Sequence, residues 1–120
     1  MTFTGANVTI TDDNGTTELG TSVAKGSFTL INTDTGSSGT GVSQASGATL
    51  NVTGRLTVQA DSGTDRDINL NNTGNKFGSV SAFGAVVTLR EADATDLFDT
   101  TASGNFTLTY GGAVTDSGTL

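Results

Sequence analysis

Carboxylates are the only abundant reactive groups in this chain, which carries 12 Asp and Glu but no His and no Cys. Without His it lacks the commonest general base and metal ligand. Without Cys it has no thiol nucleophile, thiolate zinc site or disulfide framework. Two groups of acids are close enough in sequence to act together. Glu91, Asp93, Asp96 and Asp99 form the first. Paired carboxylates hydrolyse glycosides, one protonating the leaving group and the other attacking or activating water. A sugar site usually adds aromatic platforms, yet the chain has no Trp and one Tyr, Tyr110. These acids also fall in a corner between strand-like runs, so no catalytic residue is assigned. The second group, Asp61-Ser62-Gly63-Thr64-Asp65-Arg66-Asp67, alternates acids with small residues, as calcium loops can. It lacks EF-hand spacing and the terminal Glu, and the Gly-rich calcium nonapeptide. It reads as a solvated turn, as does Asp12-Asp13-Asn14-Gly15. No metal site and no cofactor are expected, and the chain is not expected to be an enzyme.

The rest of the composition points to architecture. Thr (24), Gly (17), Ser (11) and Asn (9) make up about half of the 120 residues, and apolar residues only 33%. Disorder is the obvious reading of such numbers, but disordered chains are rich in Pro, Glu and Lys and lack apolar patterning. Here Pro is absent, and Thr, Val, Leu and Phe sit in short alternating runs. Alternation implies strands with one face buried. The net charge of −7 disfavours nucleic acid, whose phosphates need Lys and Arg, and anionic membrane surfaces. No apolar stretch approaches the ~20 residues of a membrane helix, so no membrane insertion is expected.

A tripeptide of the form apolar–polar–apolar recurs. It appears as Val8-Thr9-Ile10, Phe28-Thr29-Leu30, Leu50-Asn51-Val52, Leu56-Thr57-Val58, Ile68-Asn69-Leu70, Val87-Thr88-Leu89 and Phe106-Thr107-Leu108. Leu56 falls between markers and is assigned to another side of the same turn. The others, Val8, Phe28, Leu50, Ile68, Val87 and Phe106, follow one another at roughly 20 residues each time, a spacing typical of solenoid repeats. A longer echo overlies it: Gly5–Ile10 matches Gly84–Leu89, and Lys25–Leu30 matches Ser103–Leu108. In a strand the outer residues of each tripeptide share one face and the middle one points away. Asn-Gly, Thr-Gly, Ser-Gly and Gly-Gly between the runs supply turns. A sandwich pairs its strands as hairpins with closely spaced turn signals, and has no reason to repeat one tripeptide at so regular a distance. The expected fold is therefore all-β, a right-handed parallel β-helix (β-solenoid) of about six coils of ~19–20 residues, standing roughly 29 Å tall at ~4.8 Å per coil.

Residues 1–120 are expected to form a single solenoid domain, excised from a longer repeat array. Residues 31–47, rich in Thr, Gly and Ser, are expected to be a longer loop. The expected core is Val8, Ile10, Phe28, Leu30, Leu50, Val52, Leu56, Val58, Ile68, Leu70, Phe77, Val80, Val87, Leu89, Leu97, Phe106 and Leu108. Thr9, Thr11, Thr29, Thr57, Thr88, Thr107 and Thr109 would then form an outward array of the kind ice-binding solenoids use, interrupted by Asn51, Asn69, Asn71 and Arg90. Asn7, Asn14, Asn51, Asn71 and Asn105 each open an Asn-x-Thr sequon. Coincidence is the default reading in a chain this rich in Asn and Thr.

Leu70-Asn71-Asn72-Thr73-Gly74-Asn75-Lys76-Phe77-Gly78-Ser79-Val80, then Gly84–Leu89, Ala92–Leu97 and Ser103–Gly118, resemble the coils of filamentous-haemagglutinin-like adhesins. These are exported bacterial surface proteins of two-partner secretion and autotransporter type. The likeness is clearest over residues 50–120, looser over 1–30, and lost over 31–47. It implies a non-catalytic stalk or spacer of a secreted, surface-located adhesin that supports attachment to cells or hosts. The implied partners are neighbouring coils of the parent protein, with host-cell receptors or glycans beyond. Neither end shows a capping helix or a charge-rich strand, so head-to-tail stacking of subunits into filaments is the alternative. An ice-binding solenoid or a polysaccharide-acting β-helix enzyme follow behind it.

Overall fold

The computed structural model describes residues 1–35, 39–61 and 65–118. Within them the chain forms strands and no helix: β1 (Thr4–Gly5), β2 (Val8–Asp12), β3 (Thr17–Leu19), β4 (Ser22–Ala24), β5 (Phe28–Asn32), β6 (Thr40–Gln44), β7 (Leu50–Gln59), β8 (Asp67–Leu70), β9 (Lys76–Gly84), β10 (Val87–Glu91), β11 (Thr95–Ala102), β12 (Phe106–Tyr110) and β13 (Val114–Asp116). They build two sheets in which the pairings are parallel. The first runs β1-β4-β7-β9-β11-β13, with β2 and β5 joined to it through β7. The second runs β12-β10-β8-β6-β3. Along the chain, one or two strands of the first sheet are always followed by one of the second.

Alternation explains the strands, and register explains the core. In β5, Phe28, Leu30 and Asn32 are buried while Thr29 and Ile31 are half-exposed. Parallel pairing without offset sets like upon like. Val8, Phe28, Leu56, Val80 and Leu97 form one inward column, and Ile10, Leu30, Val58 and Ala82 a second. In the second sheet Val42, Ile68, Val87 and Phe106 make a third. Most of these side chains are fully buried, each contributing about 1.5–3 kcal/mol relative to exposure. A chain with few apolar residues thus places most of its large ones in or against one continuous cluster.

The ladder departs from the expected marker series. Phe28 pairs with Leu56, while Leu50 pairs with Ser22. The ten-residue β7 carries two tripeptides and serves two columns. Leu56-Thr57-Val58 is therefore the continuation of the Val8–Phe28 column, and Leu50 belongs to another. The column climbs unevenly from Val8 through Phe28, Leu56 and Val80 to Leu97, with its longest excursion between Phe28 and Leu56. Evenness survives in the second sheet, where Ile68, Val87 and Phe106 are equally spaced. Residues 31–47 are also not loop throughout. β5 runs on to Asn32, and Thr40–Gln44 is a strand with Val42 fully buried; the sequence hides it because one Val is its only large apolar residue.

Burial fades at both ends. Val8, Ile10 and Leu108 are half-buried, and Phe106 is 37% exposed despite its place in an inward column. The reason is position: among the described residues β2 pairs only with β5, and β12 only with β10. Three irregularities interrupt the ladders. Two residues face one at Thr53–Gly54 against Gly78 and at Phe98–Asp99 against Ser81, and Gly41 is inserted in β6. Such bulges bend a strand and re-aim its side chains.

Candidate functional site

The acidic group at 91–99 is dispersed by the fold. Glu91 closes β10 and turns inward, 2% exposed. Its Oε2 accepts from the Phe77 amide at 2.6 Å and its Oε1 from the Asp93 amide at 3.3 Å. Burial holds its carboxyl above the ordinary 4.5, outweighing those two hydrogen bonds. Asp93 lies outside, 3.1 Å from the Lys76 ammonium. Asp96 accepts from the Thr115 hydroxyl at 2.8 Å, and exposed Asp99 sits in the bulge opposite Ser81. Tyr110 lies beside Glu91 in register and helps line a shallow depression of about 250 Å³ with Arg90 and Thr73. Glu91 is thus committed to two backbone amides, and Asp93, whose charge also helps to raise it, is drawn to the Lys76 ammonium.

The other acids make turns. Asp12 caps its own loop, its carboxylate accepting from the Asn14 amide at 3.2 Å and the Thr17 hydroxyl at 2.8 Å. Asp61 and Asp65 are exposed, and Ser62, Gly63 and Thr64 lie outside the described residues. Asp67 accepts from the Val86 amide at 3.1 Å. Among the described residues no three acids converge on a point where a metal ion could sit.

The notable group in that segment is its cation, Arg66. It is 6% exposed, its guanidinium 2.6 Å from the Asp34 carboxylate and donating to the Gly15 and Thr40 carbonyls at 2.9 and 3.0 Å. Asn32, 1% exposed, donates nearby to the carbonyls of Gly15 and Gly41 and to the Thr17 hydroxyl. Together they fasten the residues flanking β6 to the stack. A second buried polar lock pairs the Asn75 and Gln44 amides reciprocally at 2.9 Å, while Asn75 also serves the Leu50 amide and the Leu70 carbonyl. Neither lock follows from the sequence reading. The one signal available there is a lone Arg among acids just before an apolar strand.

The threonine array splits in two. Thr9, Thr29 and Thr57 are in register in the first sheet, and the next position is Ser81, buried at the Phe98–Asp99 bulge. Thr88 and Thr107 stack in the second sheet beyond Asn69. No single flat face carries all of them. The five sequon asparagines are exposed, with Asn7 and Asn71 accepting hydrogen bonds from the Ser27 amide and Arg90.

One concavity does combine shape with unmatched polarity. A groove of about 560 Å³ crosses β5, β7 and β9, lined by Ser27, Thr29, Thr57, Arg55, Ser79 and the corner glycines. Its floor is backbone: a Cβ on Gly54 would stand 2.8 Å from the Gly26 carbonyl oxygen, and one on Gly78 would overlap the Thr53 carbonyl. At its edge the Arg55 guanidinium lies 3.5 Å from the centre of the Phe98 ring, which the bulge brings across. Arg55 Nε is buried without a hydrogen-bond partner.

The longer sequence echo has a structural counterpart. Val8 N–H donates to the Ser27 carbonyl and Val87 N–H to that of Asn105, both at 2.9 Å. Lys25 N–H donates to Gly5 and Gly26 N–H to Ala6, just as Ser103 N–H donates to Gly84 and Gly104 N–H to Ala85, all at 2.7–3.0 Å. Val8 pairs with Phe28 in the first sheet, however, and Val87 with Phe106 in the second. No curated protein and no solved structure is detectably similar to the chain. One protein-family profile matches it twice, over residues 5–83 and 84–120, so that its second match begins at the glycine where the echo does. These matches span nearly the whole sequence, and the chain belongs to that family, repeats of unknown function (DUF5649).

Proposed function

We propose that this chain is a rigid, non-catalytic stalk segment, a right-handed parallel β-solenoid that holds binding regions of an exported bacterial surface adhesin away from the cell. The observation that carries the reading is the pair of parallel ladders with inward columns in register. Parallel neighbours require a crossover between them, and here that crossover is the visit to the other sheet. Winding of this kind accounts for the regular alternation between sheets, and parallel crossovers are right-handed in about 98% of cases. Backbone ladders along the axis make such a stack stiff without a wide core. Secretion, surface location and attachment rest on the likeness of residues 50–120 to haemagglutinin-type coils.

Counted from β2 to the end of β9, with β7 and β9 each covering two sides, the unit from Gly5 to the next corner at Gly84 makes ten sides. If the first sheet supplies two sides of each coil and the second sheet one, ten sides are three turns and one side over. Joining the unit 5–83 in tandem and imaging the arrays by electron microscopy tests the stalk. Each unit should lengthen a smooth rod by roughly 16 Å. Beads spaced by a globule's width, roughly 30 Å, would refute it. Antibody labelling of intact source cells tests the location, and labelling only after permeabilisation would count against export.

A second reading has an observation of its own. β12 leaves Phe106 37% and Tyr110 54% exposed beside an edge with no further strand among the described residues. Such an edge can template another chain, and a heterologous contact need not close. Sedimentation over a range of concentrations separates the readings: filaments growing with concentration favour self-stacking, a constant monomer removes it.

A further inference from the structure

We propose that the groove over β5, β7 and β9 binds a short uronate-bearing carbohydrate, gripping one carboxylate through Arg55, the single cation among the described residues that line it. The chain's net charge of −7 confines this local contact to that one position. The proposal stands on the groove itself and holds whether or not the chain is a stalk.

Arg55 is the reason. The chain has 12 carboxylates to 5 Lys and Arg, so a cation has partners to spare. Arg66 and Lys76 have taken them, lying 2.6 Å from Asp34 and 3.1 Å from Asp93. Of the Lys and Arg side chains without an ion pair among the described residues, Lys25, Arg55 and Arg90, Arg55 is the one that lines this groove. Its side chain makes no hydrogen bond with a described residue, and its Nε is buried without a partner. The buried Nε is out of a ligand's reach, but the two terminal Nη groups are not buried, and the guanidinium is held at the groove edge by the Phe98 face. An oriented guanidinium with its donors unused is the natural receiver of a carboxylate, which it can grip with two parallel hydrogen bonds.

The remaining lining selects the kind of molecule. Thr29, Thr57 and Ser79 line the groove from three adjacent strands, with Ser27 just ahead of the first, and their hydroxyl side chains suit hydrogen bonding with sugar hydroxyls. The glycine floor offers no apolar pocket for a peptide side chain, and the groove crosses the sheet face, not an edge, so an added peptide strand has no ladder to join. The groove is an open, shallow trough of about 560 Å³, which would touch one side of an extended ligand.

The test titrates the whole chain with a short oligogalacturonate, its methyl ester and an acidic peptide of equal charge, followed by amide NMR shifts and calorimetry. The expected result is saturable binding of the oligogalacturonate with shifts at Thr29, Thr57 and Ser79, and at least about tenfold weaker binding of the ester. R55Q should lose at least about tenfold, whereas R90Q on the second sheet should bind as the parent does. If R55Q does not fold, Thr57→Val, which keeps the β-branched shape and removes one hydroxyl, should still weaken binding severalfold. Binding of the ester or the peptide as tight as that of the acid, indifference to both variants, or no shifts at millimolar ligand would overturn the proposal.

Discussion

Val87 is the position at which the stacked core can be tested most severely. It is fully buried, with Ile68 on one side of its column and Phe106 on the other. Val87→Asp removes about 2 kcal/mol of apolar burial. The new carboxyl cannot remain charged between two apolar neighbours, and the cheapest escape is to take up a proton. For a side chain with an ordinary value near 3.9, that costs about 4 kcal/mol at pH 7. The total is about 6 kcal/mol, as large as the lower end of the ~6–18 kcal/mol expected for a chain of this length. The group's folded-state value is raised, so the penalty is fullest at neutral pH and shrinks as pH falls. The stability gap between variant and parent should therefore close by about 1.4 kcal/mol per pH unit between 7 and about 4. Circular dichroism during urea unfolding at pH 7, 5.5 and 4 gives the measurement. Thr88→Ser, one residue along and half-exposed, should change stability by less than about 0.5 kcal/mol. A Val87→Asp protein that unfolds with the parent's midpoint at pH 7, or whose deficit ignores pH, would show that the column is not packed as described.

Three further perturbations probe the parts the sequence did not announce. Arg66→Ala strips the Asp34 carboxylate and the Gly15 and Thr40 carbonyls of their shared donor, and a loss of about 3 kcal/mol in urea unfolding is expected; Arg66→Lys should recover only part, since one ammonium cannot span all three acceptors. Glu91→Gln keeps an acceptor for the Phe77 amide while removing a charge whose burial is unfavourable. The native glutamate's raised value makes its contribution greatest below the ordinary 4.5 and diminishing as pH rises through the raised value. The variant should therefore match the parent at low pH and equal or exceed it at pH 7, and a variant weaker at pH 7 than at pH 4 relative to the parent would contradict this. Gly54→Ala sets a methyl 2.8 Å from the Gly26 carbonyl oxygen and should cost about 1–3 kcal/mol, read as a lowered thermal midpoint.

How much could be read in advance follows from how far each feature depends on distant residues. Phe28, Leu30, Leu56 and Val58 were legible because alternation is local: two apolar residues flanking a Thr name their own face. The parallel architecture was legible because a recurring tripeptide needs equivalent neighbours. Which recurrence pairs with which was not legible. Leu50 and Leu56 carry the same signal, and only the ten-residue length of β7 assigns them to different columns. Val42 and Leu19 are fully buried but stand alone among polar residues, so periodicity passed over them. The candidate site was the least legible part. Arg55 acquires its meaning from Phe98, which lies far along the chain in β11 and reaches it through a bulge with no sequence signature of its own.

The family match occurs twice along the chain, from Gly5 and again from Gly84. Gly5–Val8 and Gly84–Val87 make the same hydrogen bonds to the following segment, yet they deliver the chain to different sheets. What the unit preserves is therefore the corner and its inward aliphatic column, and the sides themselves are interchangeable. Under the proposed winding each unit begins one side later than the last, so every surface feature moves round the axis by a third of a turn per unit. The groove illustrates it. Ser27 and Thr29 line it on the first sheet, while their equivalents in the second unit, Asn105 and Thr107, lie at the start of β12 and on it in the second sheet. A ligand held by one groove could not continue straight along the rod into the next.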